Sequence, residues 1–269
     1  MTFIQKAWDK AMTAFSHSGS TGDTFSSMAL VRALGGGDYY LRLHNMSNVA
    51  ARIGWGAGRH AGRMTQQDFD FLAPIMQIQS CLTKFESYQG QHIDYELENT
   101  VYHMTDPIWP RNFANQYANA MKVDMQKYFR QLQVDPYIDV DKPIVIPGRP
   151  VCIARNPFYL DGIENISQVP EWVNWIERGL MDQCFFVGLP EDHQWFEQTM
   201  KVKVHYEPTT DGLALARLIA GAKMMIANQS MPGTLCVGIG TTLWLETRKN
   251  TPLDNNEILY PYRANITYF

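Results

Sequence analysis

Residues 12–43 read MTAFSHSGSTGDTFSSMALVRALGGGDYYLRL, and this stretch decides the fold. A short apolar run, Met12 to Phe15, enters a turn of glycine and hydroxyl residues, His17-Ser18-Gly19-Ser20-Thr21-Gly22-Asp23. A dense apolar segment of helical length, Phe25 to Leu34, follows. Gly35-Gly36-Gly37 ends it, since glycine best tolerates the left-handed backbone past a helix C-terminus. Tyr39 to Leu43 then reads as a second strand. Strand, turn, helix, strand is the opening of a parallel α/β sheet.

The same alternation continues outward. Helix is expected near Gln66 to Gln77, with short strands around Leu82–Phe85 and Ile93–Leu97 and a helical stretch from Phe113 towards Leu132. Pro136, Pro143, Pro147, Gly148 and Pro150 interrupt any regular element, and after them βα alternation restarts with the strand Val151–Ala154. Helices near Trp172–Gly179, His193–Met200 and Leu213–Ala220 alternate with strands at Cys184–Val187, Val202–His205 and Lys223–Ala227. A short helix near Pro232–Val237 leads into Thr242–Leu245, read as the last clear strand. The predicted organisation is an N-terminal Rossmann-like lobe over 1–135, a Pro-rich linker over 136–150 and a C-terminal lobe over 151–269, the two facing one cleft.

Composition narrows the function. The 269-residue chain carries a formal net charge of −4, so general attraction to nucleic acid or anionic lipid is not expected of the whole surface. No apolar run reaches the length of a membrane span, and the N-terminal residues lack a signal-peptide core, which predicts a cytoplasmic protein. The cysteines Cys81, Cys152, Cys184 and Cys236 are widely spaced, as expected of buried free thiols. The histidines are scattered, with no pair at ligand spacing, so no metal is expected.

In open parallel sheets ligands bind beyond the carboxyl ends of the strands, so two strand-to-helix turns draw the chemistry. The first is Ser18-Gly19-Ser20-Thr21-Gly22-Asp23, with backbone open to close approach and several hydroxyls. Spacing alone leaves Asp23 either a helix cap or a general base. The turn matches neither a P-loop nor a dinucleotide fingerprint, which counts against a nicotinamide-dependent oxidoreductase. The second is Asn228-Gln229-Ser230-Met231-Pro232-Gly233-Thr234, where helix amides and dipole could hold a diphosphate and Ser230 could cap. Arg155-Asn156 follows the first strand of the second half and points to the same cleft. A Gly/Arg loop with Arg59 and Arg63 is a candidate polyanion contact.

These residues, in this order, resemble glycosyltransferase family nine, which contains the heptosyltransferases. The likeness rests on Ser20-Thr21-Gly22-Asp23 after the first strand, the helix ending in glycines, Ala154-Arg155-Asn156-Pro157, and Leu215-Ala216-Arg217-Leu218 running through to Met231-Pro232. It is strongest to short bacterial and phage-borne members. The resemblance implies a GT-B fold and a metal-independent, inverting sugar transfer from a nucleotide-sugar donor, with no bound cofactor. It puts Asp23 on the catalytic base, Asn228-Gln229-Ser230 on the diphosphate turn, and Arg155 near the donor. The acceptor implied is a glycan intermediate or, in the phage-type forms, a hydroxymethylated base in DNA. The chain departs from the family at Gln229, where Asp is usual, at Thr234, where His is usual, and at Ser20, which replaces a first aspartate. Those changes leave open a catalytically degenerate protein that binds a nucleotide or partner without chemistry.

Overall fold

The structure is a computed structural model that describes residues 13–43, 64–97, 113–133, 135–157, 169–246 and 265–269. Arg59 and Arg63 lie outside the described residues.

The first sheet comprises β1 (Ala14–His17), β2 (Gly37–Leu41), β3 (Leu82–Ser87) and β4 (Tyr95–Glu96), all parallel, in the order β3-β2-β1-β4. Between β1 and β2 runs α1 (Thr21–Ala33). It is buried on nearly every side, from Thr24 and Phe25 to Val31 and Ala33, as an all-round apolar helix must be. The glycine run after it is required by geometry. Gly36 and Gly37 have φ of +77° and +153°, and a Cβ there would run into the carbonyls of Cys81 and Thr13. α2 (Gln66–Met76) opens on a capping box, Thr65 with Asp68. The expected single helix to Leu132 is two, α3 (Phe113–Ala120) and α4 (Met125–Gln133). They are broken at Lys122, whose φ is +55°.

The second sheet comprises β5 (Val151–Ala154), β6 (Cys184–Phe186), β7 (His205–Tyr206), β8 (Met224–Asn228), β9 (Thr242–Glu246) and β10 (Ile266–Tyr268). It is parallel throughout, in the order β10-β9-β8-β5-β6-β7. Thr242–Glu246 is therefore not the last strand. β10 pairs Ile266 with Leu243, and its three residues are too short to stand out from sequence. The helices are α5 (Pro170–Glu177), α6 (Pro190–Met200), α7 (Gly212–Gly221) and α8 (Met231–Ile239).

Strand alternation divides the core. Val151, Ile153, Phe186 and Ile226 pack with Trp172 of α5 and Phe196 of α6 on one face. Cys152, Ala154, Phe185 and Ala227 turn the other way and join Leu215 and Ile219 of α7 and Leu235 and Val237 of α8. That second cluster is continuous with Phe15, Phe25, Leu30, Tyr39 and Ile75 of the first half. Helices of the two halves pack directly, α1 on α8 and α2 on α7.

The Pro-rich segment forms no helix or strand, as expected, but it is fastened along its length. Tyr137 and Ile138 are buried and donate backbone N–H to Gly238 O at 2.8 and 3.1 Å. Asp139 accepts from Arg32 at 2.6 Å and from the Ser80 hydroxyl at 2.7 Å. Arg217 grips Asp141 through both Nη2 contacts, at 2.8 and 2.9 Å. Among the described residues, no helix is long and apolar enough to cross a membrane.

Candidate active site

In both sheets the strand order reverses direction beside the first strand of the half: at β1/β4 in the first sheet and at β5/β8 in the second. Chains leave opposite ways there, so a crevice opens beyond the strand ends. The turn after β1 and the residues after β5 and β8 occupy those two crevices.

In the first turn, Ser20 is the N-cap and Asp23 the third helical residue, a correction to the reading of Asp23 as the cap itself. The two form a reciprocal capping box. Asp23 Oδ2 accepts from the Ser20 backbone N–H and hydroxyl, both at 2.9 Å, while Asp23 N–H donates to Ser20 Oγ at 3.3 Å. The hydrogen bonds from Ser20 run to Oδ2 of this half-buried carboxylate. Gly19 is needed where it stands, because a Cβ would collide with the His17 ring and lie 2.8 Å from Asp23 Oδ2. Ser18 is buried; Thr21 and Gly22 are half-exposed at the helix start.

Behind this turn lies His17, buried, with Nδ1 accepting from Gly19 N–H at 2.7 Å and Nε2 2.8 Å from the Tyr117 hydroxyl. Tyr117, from α3, donates to the Asp23 carbonyl at 3.0 Å. Burial pulls the His17 pKa down to about 4, against the raising influence of the Asp23 carboxylate. Sequence reading placed His17 at the head of this turn without giving it a role, and passed over Tyr117. Tyr117 lies 94 positions from Asp23, and nothing local marks it.

In the second turn, Ser230 occupies the N-cap of α8, but its side chain makes no capping bond there. Its hydroxyl donates to Asn228 O at 3.4 Å instead, and Thr234 donates its hydroxyl back to Ser230 O at 3.3 Å. The first-turn amides, Met231 and Gly233 among them, therefore have no side-chain cap, at the positive end of the helix dipole. Gly233 lets the turn fold close, since a Cβ would lie 2.8 Å from Asn228 O. Asn228 Nδ2 donates to Asn156 Oδ1 at 2.9 Å, which ties the ends of β8 and β5 together. Gln229 is buried beside it.

Arg155 does not offer its guanidinium to solvent. Nε and Nη2 bond the two oxygens of Glu246 at 2.6 and 2.8 Å, and Nη1 donates to the Asn156 carbonyl. Both partners are buried, Trp172 Nε1 donates to the same carboxylate at 3.1 Å, and Trp195 faces the guanidinium at 5.5 Å. This arrangement braces the ends of β5 and β9.

Asp192 was also missed from sequence. It follows β6, the second strand of its half; Gly188 nearby has a φ of +130°, and a Cβ there would lie 3.9 Å from Asp192 Oδ2. Burial raises its carboxyl pKa to about 6, helped by Glu191 and opposed by the hydrogen bond from the Leu189 backbone and by Arg155. The signal available was positional: Asp192 stands just after the second strand of its half.

The two turns meet. A Cβ on Gly22 would lie 3.6 Å from both Met231 Cα and Thr234 Oγ1, so the start of α1 stands directly against the start of α8. Among the described residues, no three His, Cys, Asp or Glu side chains converge as a metal site would require.

Two parallel sheets, with the turns at their switch points placed side by side, define a Rossmann-type class of α/β fold. Within that class the chain has the fold of glycosyltransferase family 9. It superposes on the family 9 glycosyltransferase from Veillonella parvula with a TM-score of 0.50 and 11% identity, covering 96% of this chain and 85% of that one. With the dodecameric iron-containing glycosyltransferase TibC from enterotoxigenic E. coli the TM-score is 0.56 at 14% identity, over 95% of this chain and 62% of TibC. E. coli ADP-heptose lps heptosyltransferase II gives 0.50 at 10% identity, over 96% and 90%. A further structure holds TibC with ADP-D-beta-D-heptose. No family model matches the sequence, and no curated protein matches it. At such identities the likeness is one of fold.

Proposed function

We propose that this protein is a glycosyltransferase that moves a sugar from a nucleotide-sugar donor to an acceptor hydroxyl by a metal-independent, inverting displacement. The two sheets are read as the two lobes of a GT-B arrangement, over 1–135 and 151–269. The observation that carries the reading is the contact of the two turns at Gly22, Met231 and Thr234. It brings the start of the helix that carries Asp23 against a helix start with no side-chain cap, which supports a reading of transfer off a diphosphate.

In this reading the amides of Met231 and Gly233, with the α8 dipole, hold the diphosphate in place of a cation. Asp192 accepts from the ribose hydroxyls. Asp23 takes the proton of the acceptor hydroxyl as that oxygen attacks the anomeric carbon from the face opposite the leaving diphosphate. Its Oδ2 is held by Ser20, and Oδ1 serves as the base. Thr21 and Ser18 border the acceptor side.

The test is nucleotide release from a panel of nucleotide sugars, ADP-sugars included, with a chelator present. Asp23→Asn is expected to lower turnover by roughly a hundredfold or more while nucleotide affinity stays nearly intact. Full turnover in that variant sinks the assignment. The acceptor is read as a glycan intermediate, with a hydroxymethylated DNA base as the second reading. A salt-sensitive shift of duplex DNA that is lost in Arg59→Ala/Arg63→Ala favours DNA, and no shift at low salt removes it.

A protein that binds the nucleotide without transferring sugar is favoured by two observations. Arg155 is spent on Glu246, and the Thr234 hydroxyl is turned back on its own helix. Binding by calorimetry with neither transfer nor hydrolysis across the panel would establish it.

A further inference from the structure

We propose that His17 and Tyr117 are positioning residues, a directional hydrogen-bond relay that fixes the turn carrying Asp23. The proposal rests on the reading of Asp23 as the base. Its sense can be followed donor by donor. Gly19 N–H donates to His17 Nδ1 at 2.7 Å, which requires that nitrogen to carry a lone pair. A neutral imidazole then holds its proton on Nε2, which donates to the Tyr117 oxygen at 2.8 Å. The Tyr117 proton is thereby directed to the Asp23 carbonyl at 3.0 Å. Each link fixes the next, and the relay closes a ring from Gly19 to Asp23 around the turn. An imidazolium would set Nδ1–H against Gly19 N–H, donor against donor, and undo the first link.

Two further observations agree. His17 and Tyr117 are each only 2% exposed and stack edge to face at 5.7 Å, so both polar side chains are buried where an apolar pair would cost less. Gly19 lacks the Cβ that would strike the His17 ring, so the turn can close down onto the imidazole. The outcome for chemistry is that the backbone of Asp23 is gripped from behind by α3 while its carboxylate is gripped from in front by Ser20.

Tyr117→Phe keeps the ring packing and removes only the hydroxyl. It is expected to lower kcat about tenfold, because small misplacements of a reacting group are costly, while the Kd for nucleotide is unchanged and the melting point moves by a few degrees. His17→Gln, which retains an acceptor and a donor, is expected to recover part of the kcat that His17→Phe loses. Nitrogen NMR of histidine-labelled protein is expected to show His17 as the neutral Nε2–H tautomer at neutral pH, with that resonance shifted in Tyr117→Phe. Wild-type kcat in Tyr117→Phe, or an Nδ1–H tautomer of His17, overturns the relay. Wild-type protein that transfers no sugar removes the reading of Asp23 as a base. The tautomer and its response to Tyr117→Phe then decide the relay alone.

Discussion

Asp192 shows how one carboxylate can make a fold sensitive to mild acid. With its pKa raised to about 6, it is largely ionised at neutral pH and half-protonated near 6. With the ribose held as proposed, its hydroxyls would bond the ionised form more strongly, so nucleotide affinity is expected to weaken as pH falls through 6. In Asp192→Asn calorimetry should find weaker binding that is flat over the same range. For stability the sign is opposite. A carboxyl raised in the folded state favours folding most below its unfolded value, and that contribution is lost as pH rises through 6. His17 acts the other way. Its pKa, lowered to about 4, penalises the folded state between roughly 6.5 and 4 as the unfolded chain takes up the proton. Asp23 was legible in sequence as an aspartate at a strand-to-helix turn. Its true partner was legible too, since Ser20 and Asp23 stand at capping-box spacing. Tyr117 and Glu246 were not legible, because only the tertiary fold brings them to Asp23 and Arg155.

At the scale of elements, α8 is a helix whose start has been left unfinished. Ser230 has the backbone of an N-cap, φ −128° and ψ 174°, without the side-chain bond. Ser230→Asp should complete the cap, raise stability of the unliganded protein by about 1 kcal/mol, and put negative charge where the diphosphate is proposed to lie. Thermal unfolding should show the gain and calorimetry a loss of nucleotide affinity. A variant that gains stability and keeps full affinity would argue against the α8 start as the anion site. Most elements were readable because their apolar runs are dense and their ends are punctuated. Val151–Ala154 appears with the expected bounds, and the glycines after α1 fall where φ is positive. The misses share a cause. β10 and the break between α3 and α4 lie where the apolar signal is weak, and tertiary pairing decides such segments.

For the molecule as a whole, the Pro-rich segment ties the halves together, holding the first through Asp139 and the second through Tyr137, Ile138 and Asp141. Arg32 and Ser80 hold the Asp139 carboxyl below its usual range although burial opposes them. A depressed carboxyl contributes stability above its unfolded pKa and loses it as pH falls through the folded value, so this tie fails only in strong acid. Asp139→Ala should cost roughly 1–2 kcal/mol in urea unfolding, discounted for the half-exposed pair. Because one apolar cluster includes helices of both halves, that unfolding should be a single transition by fluorescence and circular dichroism. Two separated transitions would contradict the shared core. The packing of α1 on α8 and α2 on α7 also restricts how ligands enter and leave. Swinging the halves apart on a hinge would tear that apolar contact open to water, so traffic must pass through local loop motions, and the small-angle scattering envelope should be the same with and without nucleotide.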